Sequence, residues 1–243
     1  MTRKMERDIK NERTFTSFSD KLYFLCELSW EMLASNRMKL NYRDFPSKLT
    51  KMFTHRVKDG EALDHWRYDM MGQTMLIRDA VGNYSPAHRS LLEFFVAYKL
   101  AAELGVLAED FARTTIIDCE TVGSNRQPQI RTWSQFFLRE RDSVKEQSLL
   151  AFAPEPLDIL QKHWGGEPWS KAVLDLLVPM ISREKTAITQ LQRLLLETRN
   201  KSKEGLMFFA GNLATLLVLV DRLGLAGLDL STTVLNSANL VGA

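Results

Sequence analysis

His88 is the residue whose type and place in the chain invite chemistry. It closes the second arm of a hairpin-like stretch and stands two residues ahead of a helix start at Ser90. Free backbone amides and the positive end of the helix dipole gather at such a point and favour an anion. A neutral imidazole adds one N–H donor, which suits a phosphate oxygen. Arg89 beside it and Arg78 on the facing arm would supplement such a site. The competing reading is bland: a packed or solvated ring at a strand end, flanked by solvated surface charges.

Other chemistries find no constellation. The four histidines, His55, His65, His88 and His163, lack ligand spacing, and no His-Glu-x-x-His or Cys-x-x-Cys occurs. Gly165 and Gly166 lead into no lysine of a phosphate-binding loop, and no Gly-x-Ser-x-Gly elbow is present. No catalytic residue and no metal ligand is therefore assigned. Asp44, Asp64, Asp69 and Glu93 read as helix-end residues; Trp30, Trp66, Trp133, Trp164 and Trp169 read as packing.

The elements that must position His88 begin at Ser19, read as an N-cap with Phe18 as its hydrophobic staple. Leu22, Leu25, Cys26, Ser29, Met32 and Leu33 follow at helical spacing and predict one core-facing stripe. Met38 to Tyr42 alternates as a short strand. Asp44 with Pro46 opens a second helix through Phe53, and a third runs from about Glu61 to Met71, stopped by Gly72. Thr74 to Arg78 then predicts a strand, Asp79 to Asn83 a turn, and Tyr84 to His88 the returning arm. Ser90-Leu-Leu-Glu93 matches a capping box that opens a helix to about Leu104, with Ser85-Pro86 as the competing start. Three helices, a hairpin and a buried helix describe a winged-helix domain over residues 19–108, after a tether or upstream helix end at 1–18.

Residues 109–225 predict a helical linker domain. The chain is irregular to about residue 150, then helical over about 155–163, 168–181, 183–199 and 203–223. At 226–243 the pattern changes again. Leu230, Leu235 and Leu240 stand five residues apart, each preceded by two positions by Leu228, Thr233 or Ala238. Five is a multiple of neither the helical 3.6 nor the strand 2, so this is a solenoid period. The expected fold is mainly α: a winged helix with a small hairpin, a helical domain, and the start of a pentapeptide-repeat β-helix.

Composition bounds the rest. Of 243 residues, 45% are hydrophobic, and 32 basic side chains face 30 acidic ones, which excludes a disordered chain and gives no dominant electrostatic partner. The longest apolar run, Leu206 to Val220, is interrupted by Gly211, Asn212 and Thr215 and reads as a buried helix, not a membrane span. The charged N-terminus is no signal peptide, and two cysteines make no disulfide framework, so a cytoplasmic location is expected.

Tyr84-Ser-Pro-Ala-His-Arg-Ser-Leu-Leu-Glu-Phe-Phe-Val-Ala97 resembles the end of the winged-helix domain in NACHT-type signal-transduction ATPases of the STAND class. Leu22 to Met71, with Trp30, Tyr42-Arg-Asp-Phe45 and Asp64-His-Trp-Arg-Tyr-Asp69, is similar to the stretch that precedes it in bacterial members. Gly211-Asn212-Leu-Ala-Thr-Leu-Leu217 and the five-residue repeat resemble a helical bridge into a pentapeptide-repeat tail. The resemblance covers roughly residues 15–243. It implies that His88 contacts the β-phosphate of ADP in a closed state, given a nucleotide-binding core that this sequence lacks. ADP or ATP with magnesium would belong to that parent protein, and no cofactor to this chain.

On that resemblance the chain is a regulatory, non-catalytic segment, a fragment or truncated gene product, of a nucleotide-dependent switch in defence or stress signalling. Its partner would be the nucleotide-binding core of the same parent, with a homo-oligomer on activation and no membrane. A DNA-binding winged helix is the alternative, but Glu61 to Met71 carries Arg67 against Glu61, Asp64 and Asp69, the wrong sign for phosphate contact. Nucleic acid is thus not an expected partner. The other alternative is a pentapeptide-repeat interaction scaffold.

Overall fold

The computed structural model describes residues 18–45, 49, 75–116, 129–137, 149–181, 185–201 and 207–243. The chain divides into two units, residues 1–96 and 97–243. In the first, helix α1 spans Phe18–Ala34, so Ser19 lies inside it and is no N-cap. The expected one-sided stripe is also corrected. Leu22 to Ser29 are buried without a break, Tyr23, Phe24, Glu27 and Leu28 included, while Leu33 is exposed. A helix with apolar residues all round is enclosed on all sides. It ends in a left-handed Asn36 (φ 51°), with the Arg37 amide donating to Met32 O at 2.8 Å and the Asn36 amide to Leu33 O at 3.0 Å. Those bonds satisfy carbonyls that a helix end leaves open.

Three short strands follow: β1 (Leu40–Asn41), β2 (Leu76–Arg78) and β3 (Asn83–Pro86), antiparallel in the order β1-β3-β2. Both Leu40 and Arg78 stand opposite Tyr84. Tyr84 is fully buried and meets Phe45 at 5.7 Å between centroids, which in turn meets Phe24 of α1 at 5.9 Å. The β2–β3 turn is closed by one carboxylate. Asp79 Oδ1 accepts the amides of Val81 and Asn83 at 3.0 Å each, and Oδ2 accepts Asn83 Nδ2 at 2.9 Å. The Asn83 side-chain and backbone bonds, the Val81 amide and the Lys39 charge outweigh desolvation and hold its pKa below the usual aspartate value. Apart from the buried, helical Leu49, the expected helices at 46–53 and 61–71 lie outside the described residues. Helix α2 (Arg89–Glu103) follows, and the division between the units falls within it.

In the second unit α2 ends at Gly105, whose φ of +69° is left-handed. A Cβ there would also sit 2.6 Å from Pro154 N. Gly105→Ala is therefore expected to cost about 2 kcal/mol, combining left-handed strain with the forced shift of Pro154, measurable by urea denaturation. Helix α3 (Glu109–Ile116) precedes a feature absent from the sequence reading, the parallel pair β4 (Gln129–Thr132) and β5 (Leu149–Ala153), with helix α4 (Trp133–Phe137) after β4. Four helices then run at α5 (Leu157–Trp164), α6 (Lys171–Met180), α7 (Lys185–Glu197) and α8 (Phe209–Val220). Ser170 caps α6, its Oγ accepting the Val173 amide at 3.3 Å. Helix α8 is buried from Phe209 through Val218, as its largely apolar sequence requires, with Asn212 and Thr215 buried and hydrogen-bonded among the apolar residues.

The chain from Leu225 onward is a series of turns. The amides of Leu228, Thr233, Ala238 and Ala243 donate to the carbonyls of Leu225, Leu230, Leu235 and Leu240, at 3.1–3.2 Å. The third residue of each turn, Gly227, Thr232, Ser237 and Gly242, has positive φ. The five-residue period is thus a period of β-turns, with Leu225 as a fourth leucine ahead of the three expected.

Candidate functional site

The corner around His88 is an exposed helix start. The imidazole, not Ser90, caps α2: Nδ1 accepts the Ser90 amide at 3.2 Å and lies 2.7 Å from Ser90 Oγ. Two donors converging on Nδ1 place the ring proton on Nε2. The expected capping box is corrected accordingly. Ser90 is the second helical residue and its hydroxyl is turned to the ring, while Glu93 pairs with Arg89 at 3.0 Å instead of reaching back to a free amide. Arg89 is thereby directed along the helix. Arg78 lies with its guanidinium 6.0 Å from the Tyr84 ring centroid. Its strand partner Tyr84 stands four residues ahead of His88, which lies beyond the end of β3, a separation of at most about 13 Å along the chain. The structure joins His88 with Ser90 and leaves both arginines out. His88→Ala is expected to cost about 1 kcal/mol of α2 stability, read from thermal unfolding, because one amide loses its acceptor.

A second cluster, missed by the sequence reading, is buried in the second unit. Lys99 and Glu103, one turn apart on α2, are 1% and 0% exposed and form an ion pair through Nζ and Oε1. The other carboxylate oxygen, Oε2, accepts from Trp164 Nε1 at 2.7 Å and from His163 Nδ1 at 3.1 Å. Lys99 Nζ also lies 5.7 Å from the Trp133 ring centroid. Burial alone would raise the Glu103 pKa, but the Lys99 charge and the His163 bond and charge prevail and bring it down to about 2. Nearby, Glu155 Oε1 accepts the Ser134 amide at 2.6 Å, and its own amide donates to Glu103 O at 2.8 Å. The sequence signal was present: two charges spaced i,i+4 in an otherwise apolar helix must be paired if that helix is buried.

Both Glu103 oxygens are engaged by internal donors and closed to solvent, so the carboxylate ties Lys99, His163 and Trp164 together. Among the described residues no group of three His, Cys, Asp or Glu could hold a metal ion. Among them, too, no helix is long and apolar enough to cross a membrane.

No family model and no solved structure matches the chain. An uncharacterized WD repeat-containing protein of a Nostoc species is 48% identical over 243 residues, covering 97% of this chain and 15% of that protein. The chain thus spans about a seventh of the length of the curated relative that it matches. This finding corrects the family expected from the sequence. The similar protein is named for WD repeats, not as a NACHT-type STAND ATPase with a pentapeptide-repeat tail. The regulatory role in a nucleotide-dependent defence switch goes with that resemblance, and so does the β-phosphate contact of His88 that it implied.

Proposed function

We propose that this chain is a non-catalytic architectural segment of a WD repeat-containing protein, placed outside the repeats themselves and working in the cytoplasm. The observation that carries the reading is the match to the Nostoc protein across nearly the whole chain, combined with the absence of propeller patterning in this sequence. WD repeats recur every ~40–45 residues and carry a Trp-Asp dipeptide. None of the five tryptophans is followed by aspartate. The segment therefore corresponds to a part of that protein that is not a blade. Its architecture, on this reading, is a winged helix in residues 19–108, supported by the β1-β3-β2 sheet, a helical layer, and the first coil of a five-residue β-helix.

A segment exchange tests it. This chain replaces the matching 15% of the Nostoc protein, and the chimera is compared with the parent by size-exclusion with light scattering and by limited proteolysis. The chimera is expected to keep the parent's assembly state and protease-resistant core, and the chain alone to turn over no nucleoside triphosphate. A chimera that collapses or aggregates, or turnover by the isolated chain, overturns the proposal.

A further inference from the structure

We infer that α7, the residues just after it, and α8 form a capping module that seats the five-residue coil and fixes its register. The coil holds itself weakly. Each of its four turns is closed by its own single amide–carbonyl bond, and two of the four left-handed positions are the non-glycine Thr232 and Ser237. Leu230 and Leu235 are only half-buried, and Leu240 is 40% exposed. Order in such a segment must come from the surface on which it rests.

That surface grips the chain at three places, one just ahead of the coil and two within it. Gln192 Nε2 donates to Gly224 O at 2.8 Å. Arg199 donates to Ser231 O at 3.2 Å and Ser231 Oγ at 3.1 Å, and its Nη2 pairs with the Asp229 carboxylate at 2.7 Å. Thr215 Oγ1 accepts the Asn239 amide at 2.9 Å while donating to Gly211 O at 2.8 Å. Between these bonds the coil backbone crosses α8 at Gly211, where any Cβ would collide with Asn236 O and lie 3.2 Å from Ala238 N. Gly211 is thus the groove that admits the coil.

The register follows from which residue meets Arg199. Gly224, Asp229, Val234 and Asn239 are equivalent positions five apart. A slip of one unit would bring Gly224 or Val234 to the guanidinium, and neither offers a carboxylate. Asp229 is therefore the register mark, and its Oδ1 also accepts the Ser231 amide at 3.0 Å. A repeat array whose first coil is set in this way has a defined phase for whatever coils stack beyond it.

Amide hydrogen exchange on the intact chain tests the inference independently of any assignment to a WD-repeat protein. In Gly211→Ala, the Leu228, Thr233, Ala238 and Asn239 amides are expected to exchange about tenfold faster or more, with α7 protected as in the parent. Should Gly211→Ala fail to fold, Arg199→Ala leaves the helix core untouched and is expected to speed exchange several-fold at residues 228–233. The exchanged pair Asp229→Val with Val234→Asp should loosen the coil as Arg199→Ala does, because Arg199 and Thr215 then favour different registers. Parent-like coil protection in Arg199→Ala and in the exchanged pair, or loss of coil and α7 protection together at one rate, overturns it.

Discussion

Glu103→Ala is expected to lower the unfolding free energy by about 3–5 kcal/mol at neutral pH, the largest polar effect among the described residues. The change does not merely delete a contact. It takes the Glu103 carboxylate away from the Lys99 ammonium, 1% exposed, and from the Trp164 indole N–H that donates to it. Removing one partner of a buried, hydrogen-bonded charge pair costs far more than the net benefit of the pair. Replacing both partners by apolar residues of similar size, Lys99→Met with Glu103→Leu, should recover the share of the loss due to the Lys99 charge, while the Trp164 and His163 donors still lack the Glu103 carboxylate. A double variant as unstable as Glu103→Ala would sink this account. The same group sets a pH dependence. Its folded pKa of about 2 lies below the ordinary 4.5, so its contribution is fully present above pH ~4.5 and is lost as pH falls toward 2. Urea titrations at pH 7, 4 and 3 should therefore show the gap between the parent and the double variant moving against the parent on acidification.

The legible parts of this fold were those with local causes. Asp79 to Asn83 announced a turn because one aspartate can accept the amides that follow it, and the hairpin stands where that turn chemistry placed it. The leucines spaced by five marked the coil because its turns repeat at that interval. What stayed hidden depends on distant partners. β4 and β5 are parallel and joined by no tight turn, so their pairing leaves no short-range signature. His163 and Trp164 reach Glu103 across about 60 residues, and only the packed helices bring them together. His88 shows an intermediate case. The residue was singled out and lies at a helix start, yet the Ser-x-x-Glu pattern pointed to the wrong cap, because the helix begins at Arg89 and its capping position falls on His88, whose ring accepts the Ser90 amide.

Trp133→Ala is expected to cost about 3–5 kcal/mol, the apolar counterpart of the Glu103 effect. Trp133 is 1% exposed and sits at the centre of an aromatic group in the second unit. Its ring lies 4.6 Å from Phe137, 5.4 Å from Phe152 and 6.3 Å from Tyr98, between centroids. These contacts tie α4, β5 and the end of α2 to one side chain, so truncation opens a cavity bordered by three elements that cannot all collapse into it. The parallel pair is the weak point. Among the described residues β4 and β5 form a two-stranded sheet, which needs a packed face to stand, and Phe152 supplies that face to Trp133. Loss of near-ultraviolet ellipticity and faster amide exchange at residues 149–153 should therefore accompany the fall in stability. Trp133→Phe, which keeps a ring but loses volume, should cost roughly 1–2 kcal/mol and retain the exchange pattern. A Trp133→Ala protein within about 1 kcal/mol of the parent, with β5 still protected, would show that the aromatic group fills space without holding the strands.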